Sequence, residues 1–232
     1  MAKHNFFIAG TDTDAGKTLV STGILVAANR LGLQTIGLKP IAAGCAQTPD
    51  GLRNDDALRL QQAASVRLSY DAVNPIALPA AVAPHIAATQ AGRTLSADRI
   101  AALCRGTMLQ RADLLLIEGA GGWRVPLNGR EMLSRVPQLL ETPVILVIGM
   151  KLGCINHALL SAEAIMRDGL RMAGWVANRI DPEMSCYDDN VATLRGLFQA
   201  PLLGEVPYLS SPTAEAVADC LDLSALLADG PV

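Results

Sequence analysis

The stretch Gly10-Thr11-Asp12-Thr13-Asp14-Ala15-Gly16-Lys17-Thr18 follows an apolar run, Phe6 to Ala9, and precedes an apolar-periodic segment from Leu19 to Leu31. Strand, glycine-bounded loop and helix, with Gly-Lys-Thr as the first helical turn, is the setting that a phosphate-binding loop requires. Backbone N–H groups of such a loop and of the helix N-terminus point inward and form a nest for phosphate oxygens, where a Cβ at position 16 would crowd the ligand. Lys17 is expected to reach the β and γ phosphates and the Thr18 hydroxyl to bind Mg2+. The generic pattern has four residues between its two glycines. Here position 11 is threonine and the first glycine is Gly10, so the loop is a modified form.

The rest of the chain is compatible with one large α/β domain over residues 1–232. Hydrophobic residues make up 50% and charged residues 18%, which suits a packed core. A net charge of -3 and the absence of a long basic run argue against nucleic-acid binding. No apolar stretch is long enough to span a membrane and no signal-like segment is evident, so a cytoplasmic protein is expected. Cys45, Cys104, Cys154, Cys186 and Cys220 are widely spaced without a C-x-x-C pair, which points to thiols rather than zinc or a disulfide scaffold. Lysine is scarce: only Lys3, Lys17, Lys39 and Lys151 stand among 19 basic residues. Three of them, Lys17, Lys39 and Lys151, follow strand-like runs, where a point charge on a flexible stem suits an anion.

Strand-like runs near residues 6, 36, 115, 145, 175 and 204 alternate with helical segments. This predicts a three-layer α/β/α fold with a mostly parallel sheet, of the phosphate-loop NTPase type, and active residues at the carboxyl ends of the strands. The first helix is expected over about Lys17 to Arg30, burying Val20, Ile24, Ala27 and Leu31. Others are expected from Ser96 to Gln110, from Met132 to Leu140, after the Gly149 to His157 stretch to about Met166, from about Asp188 to Phe198 and from near Ala214 to Leu227. Ile41 to Asn54 reads as a long loop, and Tyr70 to Arg93 as irregular chain with a short helix. Of Asp55 and Asp56, one is a candidate magnesium-side carboxylate, or both simply favour a helix dipole; spacing does not choose. Glu118 ends a buried run, Leu114 to Ile117, and is a second carboxylate candidate, or else a ligand of loop amides. Trp123 and Arg124 either line a substrate pocket or cover the core. Lys151 adjoins a second glycine-containing turn that is either an anion site or an ordinary connection. Asn178 ends another strand, either reading a base edge or capping a turn.

The chain resembles the dethiobiotin synthetase family. The resemblance is carried by Gly10 to Thr18, Lys39-Pro40, Gly51-Leu52-Arg53-Asn54-Asp55-Asp56-Ala57-Leu58, Asn74-Pro75, Pro84-His85, Glu118-Gly119-Ala120-Gly121-Gly122-Trp123, Lys151-Leu152-Gly153-Cys154-Ile155-Asn156-His157, Gly174-Trp175-Val176-Ala177-Asn178 and Pro201-Leu202-Leu203-Gly204-Glu205. It implies an ATP- and Mg2+-dependent ring closure in which 7,8-diaminononanoate captures CO2 as a carbamate, the carbamate takes the γ-phosphoryl group, and the second amine closes the ureido ring. It also implies that Lys17, Lys39 and Thr13 are catalytic and that Thr18, Asp56 and Glu118 are the magnesium-associated residues. Nucleotide contacts are then expected from Asp14, Ala15, Gly16, Lys17, Thr18, Leu19, Asp56, Glu118, Gly121, Asn178, Pro207, Tyr208 and Leu209, with Asn178 facing adenine. Substrate contacts are expected from Thr13, Lys39, Ala43, Gly121, Lys151, Leu152 and Asn156. The substrate carboxylate is expected near the start of the partner's Lys151 to His157 region in a homodimer, with Leu152 and Asn156 placed there. Two positions depart from the family pattern: Ala43 stands where a serine hydroxyl is expected, and Asp14 where glutamate is expected. Another phosphate-loop amidoligase or kinase is the alternative, and a nucleotide-switched partition ATPase a more distant one.

Overall fold

A computed structural model describes residues 4–228. In chain order the elements are β1 (His4–Gly10), α1 (Lys17–Arg30), β2 (Thr35–Leu38), β3 (Ile41–Ala42), β4 (Ala46–Thr48), β5 (Gly51–Arg53), α2 (Asp55–Ala63), α3 (Tyr70–Val73), β6 (Ile76–Ala77), α4 (Pro84–Gln90) and α5 (Ala97–Met108). They continue with β7 (Leu114–Glu118), α6 (Arg135–Leu140), β8 (Val144–Met150), α7 (Cys154–Arg167), β9 (Met172–Arg179), α8 (Tyr187–Leu197), β10 (Leu202–Val206), α9 (Ala214–Ala218) and α10 (Ser224–Leu227).

Six strands form a wholly parallel sheet in the order β10-β9-β8-β1-β7-β2. Their side chains alternate between two cores, as the pleat dictates. Phe6, Ile8, Leu114, Leu116, Ile145 and Val147 face α1, α2, α9 and α10. Phe7, Ala9, Leu115, Ile117, Leu146 and Ile148 face the layer containing α5, α6, α7 and α8. The three-layer α/β/α fold expected from the alternation is therefore the fold found.

The topology decides where a ligand can sit. From β1 the chain moves to β2 on one side and later returns to β7, beside β1; from β7 it crosses β1 to β8. The reversal opens a crevice at the carboxyl ends of β1, β7 and β8, the usual place for a ligand in an open parallel sheet. Register levels the groups around it. Leu38 pairs with Ile117 and Ile8 with Glu118, so Lys39, the phosphate loop and Glu118 emerge at one height.

Several local expectations are corrected. On α1 the buried side chains include Lys17, Val20, Ser21, Thr22, Ile24, Leu25 and Ala28, whereas Ala27 is half-buried and Leu31 is 63% exposed. The stripe runs through positions 20, 24 and 28, and Leu31 lies at the C-cap, beyond its last turn. The helix expected from Met132 begins only at Arg135, because Met132 forms a β-bridge with Pro126 and the Leu133 N–H donates to the Val125 carbonyl at 2.7 Å. The C-terminal helix is two short ones. Leu221 bridges to Gly204 and the Asp222 N–H donates to the Leu203 carbonyl at 2.7 Å, which ties the chain to the sheet edge between them. The loop after Lys39 contains β3 and the hairpin β4–β5. By contrast, Ser96 caps α5 as expected, accepting from the Arg99 N–H at 3.2 Å.

Candidate active site

The phosphate loop is braced from several strands. The Thr11 N–H donates to the Val147 carbonyl at 3.0 Å, and the Gly149 N–H donates to Thr11 Oγ1 at 3.2 Å. Asp12 accepts the Thr13 N–H at 2.8 Å and pairs with Lys151 at 3.3 Å. Burial would raise the Asp12 pKa, but the Lys151 ammonium and the Thr13 amide hold it below the ordinary value. From β9, Asn178 Nδ2 donates to the Ala15 carbonyl at 2.9 Å. Asp14 has φ 59, a left-handed conformation that aspartate tolerates better than most residues.

The two glycines have distinct reasons. Gly16, at φ 90, is the N-cap of α1, and a Cβ there would lie 2.0 Å from Asn178 Nδ2. A Cβ on Gly10 would lie 2.9 Å from Lys17 Nζ. The early position of the first glycine thus makes room for the Lys17 stem, which folds back to donate to the Asp12 carbonyl at 2.9 Å. Gly16→Ala is expected to cost about 1–3 kcal/mol from the left-handed backbone alone, displace Asn178 and abolish nucleotide binding. Calorimetric titration with MgATP on folded variant checks this.

Lys39, Asp56, Glu118 and Thr18 form one polar knot. Lys39 Nζ donates to Glu118 Oε1 at 2.6 Å, Asp56 Oδ2 at 3.0 Å and the Gly119 carbonyl at 3.2 Å. Thr18 Oγ1 donates to the same Glu118 Oε1 at 2.6 Å. Burial alone would lower the Lys39 pKa, but the two carboxylates overcome it and hold the ammonium above its ordinary value. Asp56 feels burial in the raising direction and Lys39 in the lowering one, and ends below its ordinary value. Lys17 differs. Burial and the positive charge of Lys39 press its pKa from 10.5 to about 8, against the pull of Glu118, Asp56 and Asp14.

Glu118 is fully buried, yet its second oxygen, Oε2, has no hydrogen-bond partner. An orphaned carboxylate oxygen beside a threonine hydroxyl and a second carboxylate is a hard-oxygen donor set. It fits Mg2+, which takes one or two carboxylates and completes its shell with water and phosphate oxygens. Among the described residues, no three His, Cys, Asp or Glu side chains cluster as a self-contained metal cage.

Thr18, Lys39 and Asp56 of the knot line a cleft of about 770 Å³, while Glu118, fully buried, reaches it only through its bonds to Thr18 and Lys39. Thr13, Asp14, Gly16, Lys17, Thr18, Leu19, Lys39, Ala43, Asp56 and Gly121 all line it, so most of the expected site residues meet there. Asp56 lines the cleft and pairs with Lys39, whereas Asp55 is exposed and Asn54 Oδ1 caps α2 by accepting the Ala57 N–H at 3.2 Å. Trp123 belongs to the core: it is 4% exposed, meets Phe7 edge-on at 6.1 Å and donates its indole N–H to Asp168. Arg124 is paired with the same Asp168 at 2.6 Å, so neither residue lines the cleft.

Other expected residues lie elsewhere. Ala15 is fully buried and accepts at its carbonyl from Asn178 Nδ2; Asn178 is 4% exposed, and neither residue lines the cleft. Pro207, Tyr208 and Leu209 follow the edge strand β10 and do not line the cleft. Lys151, Leu152 and Asn156 also stand outside the cleft of their own chain, with Leu152 95% exposed. Sequence reasoning missed Arg59 and an apolar wall made of Ala42, Ala81, Val82, Ala83, Pro84 and Val125. Arg59 was legible as the i+3 neighbour of Asp56; the wall comes from three separated segments and carries no local signal.

Residues 4–216 match the model of a family described as AAA domain. An ATP-dependent dethiobiotin synthetase of Cellvibrio japonicus is 58% identical, with 98% of this chain and 99% of that protein covered. Proteins of the same name from Marinobacter nauticus and Aeromonas salmonicida are 57% and 49% identical, over 94% and 96% of this chain and 94% and 99% of their own. Among solved structures, the cobyrinic acid a,c-diamide synthase of Mycobacterium smegmatis, with bound ADP and magnesium, aligns with a TM-score of 0.57 at 16% identity, covering 94% of this chain and 91% of that one. The septum site-determining protein MinD of Pyrococcus horikoshii, complexed with Mg-ADP, aligns with a TM-score of 0.52 at 16% identity, covering 96% and 88%. These two likenesses are of fold.

Proposed function

This chain belongs to the ATP-dependent dethiobiotin synthetases, ligases that form C–N bonds in biotin biosynthesis, and we propose that the cleft over Lys17, Lys39, Asp56 and Glu118 is where it runs that reaction. Its substrates are ATP and 7,8-diaminononanoate, with CO2 as the third. The observation that carries the assignment is the Lys39 ammonium, held by two carboxylates beside the phosphate loop, with an orphaned Glu118 oxygen at its back.

The residues divide the labour. The loop amides, Thr13 and Lys17 hold the triphosphate with its γ-phosphoryl group toward Lys39. One amine of the substrate takes up CO2 to give a carbamate, whose oxygen is already a competent nucleophile. No strong base is then required, and positioning with charge neutralisation carries the step. Lys39 sits between the carbamate and the transferring phosphoryl group and balances the charge that shifts from one to the other. The carbamate oxygen forms a bond to phosphorus as the bond to ADP breaks. The second amine then attacks the carbamoyl carbon, phosphate leaves, and the ureido ring closes. Thr18, Asp56 and Glu118 would hold Mg2+, which neutralises the phosphate oxygens when bound.

The apolar residues lining the cleft accommodate the aliphatic chain of the diamine, and Ala43 lines the same cleft. The loss of a hydroxyl at Ala43 removes one hydrogen bond but leaves the charges in place. We place the far carboxylate of the diamine against Leu152 and Asn156 of the partner subunit in a homodimer. Exposed Leu152, Leu160 and Met166 on and before α7 supply apolar surface for such an interface. A monomer with full activity at every concentration would refute the shared site. The protein works as one domain in the cytoplasm; among the described residues no helix is long and apolar enough to cross a membrane.

Glu118→Gln tests the metal assignment. It keeps the shape of the side chain but removes charge from the orphaned oxygen, so the Mg2+ concentration for half-maximal activity is expected to rise about tenfold or more. A magnesium titration of product formation reads this directly. An unchanged magnesium requirement would remove Glu118 from the metal site.

A further inference from the structure

Arg59 is a cation of the cleft with no role in the chemistry above. It stands on α2 one turn after Asp56, and at that spacing the two side chains share a helix face. Both line the cleft, together with Thr18 and Leu19 at the start of α1. Its charge is uncommitted. Lys39 is held between Asp56 and Glu118, and Lys17 donates to the Asp12 carbonyl. Among the described residues, no carboxylate lies within ion-pair reach of Arg59 and no hydrogen bond engages its guanidinium.

The charge balance gives that freedom a use. Lys17 and Lys39 are matched by Asp56 and Glu118, and Asp14 adds one further negative charge at the cleft wall. Without Arg59 these groups carry an excess of negative charge, which disfavours a polyphosphate; with it they balance before any metal ion arrives. A guanidinium is also the group whose planar fork meets two phosphate oxygens at once, which an ammonium does not. Arg59 is exposed yet lines the cleft one turn from the proposed magnesium-side carboxylate, where an unpaired guanidinium can meet an anion.

We infer that Arg59 is a nucleotide-positioning residue: its guanidinium donates to the polyphosphate of bound ATP from the α2 side, opposite the loop amides and Lys17. The inference rests on the cleft being the ATP site. It predicts a split that a merely solvated charge would not give. Arg59→Gln is expected to weaken MgATP binding about tenfold, a charge-assisted hydrogen bond discounted for exposure, and to raise the KM for ATP in parallel. The KM for the diamine should stay within about twofold, and kcat at saturating ATP should fall less than the KM rises. Arg59→Lys should restore part of the affinity, and the defect should shrink at high salt.

The experiment is calorimetric titration of the full-length parent, Arg59→Gln and Arg59→Lys with MgATP at low and high salt, beside steady-state kinetics for both substrates. A tenfold, salt-sensitive loss of MgATP affinity with partial rescue by lysine supports the inference. Unchanged MgATP affinity, with or without a rise in the diamine KM, overturns it while leaving the ATP site intact. Failure of the parent itself to bind MgATP overturns the reading of the cleft and the inference with it.

Discussion

Lys17→Met is expected to abolish dethiobiotin formation while making the nucleotide-free protein more stable at pH 7. The two effects come from one fact. Lys17 is 7% exposed, and burial with the nearby Lys39 charge lowers its pKa from 10.5 to about 8. A buried amine whose folded pKa lies below its unfolded value is disfavoured in its charged form. In the folded state it holds its proton less tightly than in the unfolded chain, so stability increases as pH rises from about 8 toward 10.5. Below pH 8 the full cost applies, on the order of 3 kcal/mol. Methionine keeps the stem and removes the charge. Thermal unfolding at pH 7 should therefore show a rise of several degrees, at about 2–4 °C per kcal/mol for a chain of this size.

Turnover should fall by about 10²–10³ or more, since the ammonium proposed to hold the triphosphate is gone. A dead variant that melts higher than its parent cannot owe its inactivity to unfolding. The same titration bears on the parent: MgATP affinity should decline as pH rises through about 8, because the phosphates require the protonated amine. Near-parent turnover in Lys17→Met would contradict its role.

Lys39→Ala is expected to lose activity as well, with the opposite effect on stability. Lys39 is 4% exposed and compensates Glu118, which is fully buried, and Asp56. Removing it leaves a carboxylate in the interior without its counter-charge, a loss of about 3–5 kcal/mol. The melting temperature should fall by roughly 10 °C. The cause can be isolated by a second change. Lys39→Met combined with Glu118→Gln removes both members of the pair, so it should recover much of the lost stability and none of the activity. If the double variant were as unstable as Lys39→Ala, the charge pair would not be the reason. The nearby lysines thus do different work: Lys17 is held at a cost until phosphate arrives, whereas Lys39 is part of what holds the site together.

The phosphate loop, the strand positions and the carboxyl-end location of Lys39 and Glu118 were legible because each has a local signature. An apolar run, a glycine or a charge at a strand end is written in consecutive residues. The choice of Asp56 over Asp55 was not legible from spacing, since both open the same helix and only its approach to Lys39 separates them. Leu31 looked buried because periodicity continues through it, yet Gly32, at φ 79, turns the chain before that turn can be covered. Met132 and Leu221 looked helical until β-bridges to Pro126 and Gly204 claimed them. The apolar wall was missed for a related reason: its meaning comes from a cleft shared with residues far away in sequence, and no window of neighbours contains it, whereas Arg59 carried a local signal in its i+3 spacing from Asp56.

The most direct measurement is a mass-spectrometric product assay with 7,8-diaminononanoate, 13C-bicarbonate and Mg2+, run with and without ATP. Labelled dethiobiotin that forms only when ATP is present is the result this account predicts. ATP consumed without labelled product, under conditions in which an established dethiobiotin synthetase is active, would contradict it and assign the cleft a different acceptor.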